Sequence, residues 1–322
     1  MKTVLISLIL IFFSACTPNR SSNISLELTP TDRPLNQINP TTNEKILIRK
    51  QRDYFLAKAD GSEQFLLYPG EASPLEMASL SPDATKFAYF KDNYVYMQEI
   101  KTRKAVILNK EIVGSMGGQI RWSPDAKKLA MTCSIGGQPS PAICLIDTQS
   151  GSIEILINEK NTYEFCSKNL IELQDWSKDG LTMIYSCFIV PEKGQKEVFS
   201  IYSYDVNSKT SKKILDGTTQ DLLWYLGSAS LSPDKNYLLI NGGDQQPKYQ
   251  VYLLDQANNT LKQLTYEQHA SMISPTWSID GRSIYLHRVE DQIPYPESNF
   301  VMDMNGNILS QIKIDGAIIE IR

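Results

Sequence analysis

Two histidines in 322 residues, His269 and His287, are too few for a histidine-ligated metal centre. No Gly-X-Ser-X-Gly elbow is present, so the strained nucleophile turn of the serine hydrolases is missing as well. The five cysteines, at 16, 133, 144, 166 and 187, include no CxxC pair, which excludes the usual zinc patterns. Thirty-two Lys and Arg against 36 Asp and Glu give a net charge of −4, and no basic block follows a phosphate backbone. Nucleic acid is therefore not an expected partner. Long apolar runs are absent apart from Val4 to Phe13, interrupted by Ser7 and too short to span a bilayer as a stable anchor.

What the chain has instead is tyrosine, 16 in all, with 42% hydrophobic content. That composition fills a core built from half-buried strands. Residues 1–15 read as a secretory leader: one lysine, an apolar run, then small residues before Cys16. The ending Phe13, Ser14, Ala15, Cys16 resembles the bacterial lipoprotein signal. That resemblance implies cleavage before Cys16, its diacylation, and tethering on the extracytoplasmic side of a membrane, in the periplasm or at the cell surface. Residues 16–42, rich in Pro, Asn, Ser and Thr, read as a flexible tether. From residue 43 the pattern changes to short strands separated by polar turns.

One ten-residue phrase returns five times: LSPDATKFAY from Leu80, WSPDAKKLAM from Trp122, WSKDGLTMIY from Trp176, LSPDKNYLLI from Leu231 and WSIDGRSIYL from Trp277. Each reads as a strand ending in a core Trp or Leu, a tight Ser-X-Asp turn, and a returning strand that starts at the residue after the Asp. The aspartates 83, 125, 179, 234 and 280 stand in separate repeats, so turn formation explains them better than a metal or catalytic set. A second signal follows each phrase, a hairpin whose first strand ends in Asp147, Asp205, Asp255 or Asp303 before Ser, Asn, Gly or Lys residues.

The phrase serines are spaced by 42, 54, 55 and 46 residues, which with four strands per period indicates propeller blades. The phrase resembles the WD-type repeat of TolB and of the propeller domains of the prolyl oligopeptidase and dipeptidyl peptidase IV families. The expected fold is all-β: a six-bladed β-propeller of four-stranded antiparallel blades over 43–322. Residues 45–68 supply only three strands, so the orphan strand at 317–322 is expected to provide the missing inner one and close the ring. In the TolB family the propeller recruits other envelope proteins. The resemblance therefore implies a tethered, monomeric binding or scaffold module, TolB-like but without its N-terminal domain.

Up-and-down blades place the phrase turns and the Asp hairpins at one end of the ring. The long irregular loops fall at the other, where binding usually sits. Aromatic side chains gather there: Tyr163, Phe165, Trp224, Tyr225, Tyr249, Tyr266 and Tyr295, with His269 nearby and Trp224 and Tyr225 the foremost contact candidates. Cys133 with Cys144 and Cys166 with Cys187 are expected as disulfides of an exported protein. No catalytic residue, metal or cofactor is expected, and the partner is an envelope protein or a cell-surface glycan. The alternative is a carbohydrate-binding module, or a lyase or glycosidase-type enzyme using Glu290, Asp291 or Asp244 at the channel mouth. Propeller lyases, similar in repeat type, rely on a histidine group around a metal that two histidines do not supply.

Overall fold

The computed structural model describes residues 44–70, 77–92, 94–109, 119–134, 142–158, 170–189, 198–220, 223–243 and 248–322. Six four-stranded antiparallel sheets account for all the strands among them. The first blade holds β1 (Lys45–Lys50), β2 (Asp53–Lys58) and β3 (Phe65–Tyr68). The second is β4 (Met77–Leu80), β5 (Lys86–Lys91), β6 (Tyr94–Glu99) and β7 (Ala105–Asn109). The third is β8 (Ile120–Trp122), β9 (Lys128–Cys133), β10 (Ala142–Asp147) and β11 (Ile153–Ile157). The fourth is β12 (Leu170–Trp176), β13 (Thr182–Ile189), β14 (Val198–Asp205) and β15 (Thr210–Asp216). The fifth is β16 (Tyr225–Leu231), β17 (Tyr237–Gly243), β18 (Gln250–Asp255) and β19 (Thr260–Gln263). The sixth is β20 (Ala270–Trp277), β21 (Ser283–Glu290), β22 (Glu297–Asp303) and β23 (Ile308–Ile312). The last strand, β24 (Ala317–Ile321), returns to the first sheet and pairs with β1, giving the order β24-β1-β2-β3. The six-bladed ring and its closure are as the repeat count predicts.

Closure is sealed on both sides of that pairing. Lys45 and Arg322 exchange backbone hydrogen bonds of 2.6 and 2.7 Å. Ile318 and Ile321 bury beside Ile46, Ile48, Tyr285 and Val301, so the core between blades six and one is continuous across the seam. Equivalent apolar cores fill the other spaces between neighbouring blades.

Inner strands of adjacent blades splay like spokes and do not pair through their backbones, so exposed polar groups on them need side-chain partners. Buried polar residues supply these. Glu320 on β24 accepts from the Leu80 N–H (2.7 Å) and the Ser79 hydroxyl (3.0 Å), tying blade one to blade two. Thr132 accepts from the Leu173 N–H, and Gln174 accepts from the Ala229 N–H. Asp175 takes both the Arg121 guanidinium (3.0 Å) and the Leu231 N–H (2.7 Å), joining blades three, four and five. Asn241 donates to the Met272 carbonyl between blades five and six.

The phrase turn repeats with the same bonds in all five copies. The serine hydroxyl donates to its aspartate at 2.6 to 2.7 Å and accepts the N–H five residues on, at 2.8 to 3.0 Å. The aspartate accepts the N–H two residues on. One expectation is corrected: the residue after the aspartate does not begin the return strand. Ala84, Ala126, Gly180, Lys235 and Gly281 all sit at φ between 50° and 77°, and the strand starts two residues later. The serine hydroxyl and the aspartate together over-determine the turn, which lets non-glycine residues occupy this left-handed position.

Candidate functional site

Because strands alternate in direction, the phrase turns and the C-terminal hairpins share one end of the ring, the turn end. At the turn end the aspartates are consumed by structure. Asp147, Asp205, Asp255 and Asp303 each accept backbone N–H groups of their own hairpins. The carboxyls of Asp125, Asp234 and Asp280 are held below the ordinary range, first by the phrase serine. Asp179 is pushed up by burial, but Lys235 and Ser177 outweigh this and bring it to about 2. Lys178 stands where three other copies have proline, and its ammonium donates to the Ile279 carbonyl of blade six at 3.0 Å. Burial first, then the neighbouring Arg322, lowers its pKa.

The opposite, loop end carries the sequence-chosen residues, and the structure divides them into two kinds. Tyr225 and Tyr249 meet edge to face, 5.1 Å between ring centroids, and are only half-exposed. Their rings fill the space above glycines: a Cβ on Gly243 would strike the Tyr225 ring, and one on Gly227 the Tyr249 ring. Tyr225 is moreover the first residue of β16 rather than part of the preceding connection, which is shorter than expected and has a 3-10 turn at Gly217–Thr219. Trp224 is half-buried and its backbone N–H donates to the Gly243 carbonyl at 2.6 Å. These three cover the end of blade five.

The second kind projects into solvent. Tyr266 is 72% exposed, Tyr295 53% and Ile293 83%, the three most exposed large hydrophobic side chains among the described residues. They sit on the connection between blades five and six and on the loop 291–296 of blade six. The Asp291 N–H donates to the carbonyl of exposed His269 (3.0 Å), joining that connection to that loop. Ile293 carries no signal in the sequence beyond its place in a long loop, and sequence reasoning missed it. Exposure depends on how the loop stands, which apolar periodicity does not encode.

Two of the three carboxylates offered as an alternative catalytic set, Glu290 and Asp291, are tied into ion pairs. Glu290 belongs to the end of β21, where Arg288 holds it at 2.6 Å while also reaching Glu267 at 3.3 Å. Asp291 pairs with Lys248 at 2.6 Å. No group of three His, Cys, Asp or Glu among the described residues is placed to hold a metal ion. His287 is buried within blade six rather than presented at the loops. A groove of about 430 Å³ on the rim between blades four and five, lined by Lys212, Gln256 and Asn259 among others, includes none of the sequence-chosen residues.

Cys133 and Cys144 are joined by a disulfide between β9 and β10, Cα to Cα 6.0 Å. They lie diagonally, since Cys133 opposes Ala142 and Cys144 opposes Met131. Buried Cys187 is also disulfide-bonded, to a partner outside the described residues. Cys16, Tyr163, Phe165, Cys166 and Asp244 fall outside the described residues too. No helix among the described residues is long and apolar enough to cross a membrane.

Six four-stranded blades, inter-blade polar ties and closure by the last strand define a six-bladed β-propeller. The structure resembles TolB from Acinetobacter baumannii with a TM-score of 0.61 and 18% identity, covering 86% of this chain and 66% of that one. It resembles a putative TolB from Agrobacterium tumefaciens with a TM-score of 0.59 and 17% identity, covering 87% and 97%. An oligogalacturonate lyase in complex with manganese is similar at a TM-score of 0.50 and 14% identity, over 78% and 82%. Neither a scan of protein-family models nor a search of curated proteins finds a match. This chain spans about two thirds of the Acinetobacter TolB, and at these identities each likeness is one of fold.

Proposed function

We propose that this protein is a β-propeller module that binds a protein partner through the loop end of blades five and six. The observation that carries this reading is that the three most exposed large hydrophobic side chains among the described residues, Tyr266, Ile293 and Tyr295, stand on two segments of that end joined by the Asp291 to His269 backbone bond. Protruding apolar and aromatic groups surrounded by satisfied polar groups have the composition of a protein-binding hot spot. Among the described residues the neighbouring charges are matched, Lys248 by Asp291 and Arg288 by Glu267 and Glu290. Tyr225 and Tyr249, packed on each other over the glycines of blade five, belong to the covered floor of the loop end. The fold likeness to TolB supports a partner in the cell envelope. A lipid on Cys16, with 1–15 as leader, 16–42 as tether and 43–322 as a monomeric propeller, holds the module on the extracytoplasmic side of a membrane.

Crosslinked affinity purification from the source cells tests the reading. The combined change Ile293→Ser and Tyr295→Ala, at exposed positions, is expected to lose the captured envelope protein while leaving the melting temperature unchanged. Retention of the same partner by this variant, or turnover of an oligosaccharide panel by the unaltered protein, overturns it. A diacylglyceryl mass shift on the mature N-terminal peptide is the expected result for Cys16.

A further inference from the structure

His287 is 2% exposed on β21, and its two ring nitrogens face different partners. Nδ1 lies 3.0 Å from Asn299 Oδ1, and Nε2 lies 3.3 Å from Glu297 Oε2. Hydrogen-bond bookkeeping decides the roles. The Asn299 amide nitrogen donates to the carbonyls of Ile314 (3.0 Å) and Gly316 (2.9 Å), in the connection that leads into β24. Its oxygen is therefore the atom turned to the ring, and a proton must stand on Nδ1. A neutral imidazole has one N–H only. With that proton on Nδ1, a neutral ring would point the Nε2 lone pair at a carboxylate; a second proton makes Nε2 a donor.

We propose that Glu297, His287 and Asn299 form a proton-operated latch, which grips the loop 291–296 when His287 carries both protons and releases its Glu297 end when one is lost. The loop has three ionic ties. Arg288 with Glu290 and Lys248 with Asp291 hold the leg that leaves β21, and neither tie involves a histidine. Glu297, the first residue of β22, holds the returning leg immediately after Tyr295 and Pro296, and its tie is the one that needs a histidine proton. Among the described residues Glu297 is the one ionisable side chain within ion-pair distance of the ring. From β20 the residue opposite His287 is Ile273, from β22 it is Asn299, and Asp315 of the clasped connection is paired with Lys50. The sign follows: a tie that needs the second ring proton is present on the acid side and is lost as pH rises. The consequence for partner binding rests on the function proposed above; the latch itself rests on the geometry alone.

Two measurements on the free protein test it. Nitrogen-15 NMR of the two histidines is expected to show Nδ1 protonated throughout, with the Nε2 proton of His287 lost as pH rises. Hydrogen exchange of residues 291–297, corrected for intrinsic rates, is compared at about pH 5.5 and about pH 8. Protection should fall about threefold at the higher pH, the scale of a half-exposed ion pair. In Glu297→Gln that step should vanish, while Asp315→Asn keeps it. An Nε2–H tautomer at high pH, or the same step in Glu297→Gln, overturns the latch. An intact step with failed partner capture would instead strike the binding reading alone.

Discussion

Ser123 holds the turn of its blade through one hydroxyl, which donates to Asp125 at 2.7 Å and accepts the Lys128 N–H at 2.8 Å. Ser123→Ala strands that N–H and frees the aspartate, and the residue is 5% exposed, so water does not replace the bond cheaply. The expected loss is about 1–3 kcal/mol in denaturant unfolding. Asp179 makes the pH-dependent counterpart. Its carboxyl sits at about 2 against an ordinary 3.8, so it contributes stability above the ordinary value that is lost as pH falls through the lower one. Because the side chain is 41% exposed, screening reduces that contribution to about 0.5–1 kcal/mol. Asp179→Asn should lower the melting temperature at neutral pH by that small contribution and flatten the acid limb of its pH profile between those two values.

The closing strand is the element with most at stake. Removing 317–322 deletes the inner strand of blade one, the Glu320 tie to blade two, and the apolar contacts of Ile318 and Ile321 across the seam. A sharp fall in melting temperature, or loss of a cooperative transition, is the expected result. A gentler probe is Gly316→Ala. Gly316 has φ of +102°, and a Cβ there would lie 2.7 Å from the Arg49 carbonyl oxygen, so the change should cost about 1–3 kcal/mol without altering the fold. The disulfide between β9 and β10 works on the unfolded chain instead, closing a loop with a sequence separation of 11. Replacing Cys133 and Cys144 with alanine should cost about 2–3 kcal/mol in chemical denaturation, and the reduced wild type, which also loses the Cys187 bridge, should be less stable than the double variant.

For the whole molecule the division between the two ends matters more than any blade. The turn end has the repeated residues, and they are occupied with making turns and joining blades. The loop end has the residues that do not repeat, and there the ring leaves Tyr266, Ile293 and Tyr295 uncovered. Repetition in a propeller marks what every blade needs to fold, whereas a ligand meets each loop in a different place. The most conspicuous phrase in the chain is therefore one whose serines and aspartates are taken up in making turns.

Much of this was legible from residue order. Five phrase copies at spacings of 42 to 55 residues define five blades, and a three-stranded remainder with an orphan final strand defines the sixth and its closure. These follow from local chemistry, because a Ser-X-Asp turn or an alternating strand is specified by neighbours in sequence. The site was legible only to the level of an end of the ring. Whether Tyr225 is a contact or a floor depends on Gly243 across the β16–β17 pair, and the exposure of Ile293 depends on how the loop 291–296 stands away from blade six. His287 shows the same limit from the other side. As one of two histidines it was visible at once, but its role was set by Asn299, Glu297 and the carbonyls of Ile314 and Gly316, brought together by strand pairing and ring closure. Residue order by itself determined the blades, because the forces that make a turn act over a few residues. Tertiary structure alone decided which side chains are covered, which are left out and which meet, because those outcomes belong to distances between strands that the chain order does not contain.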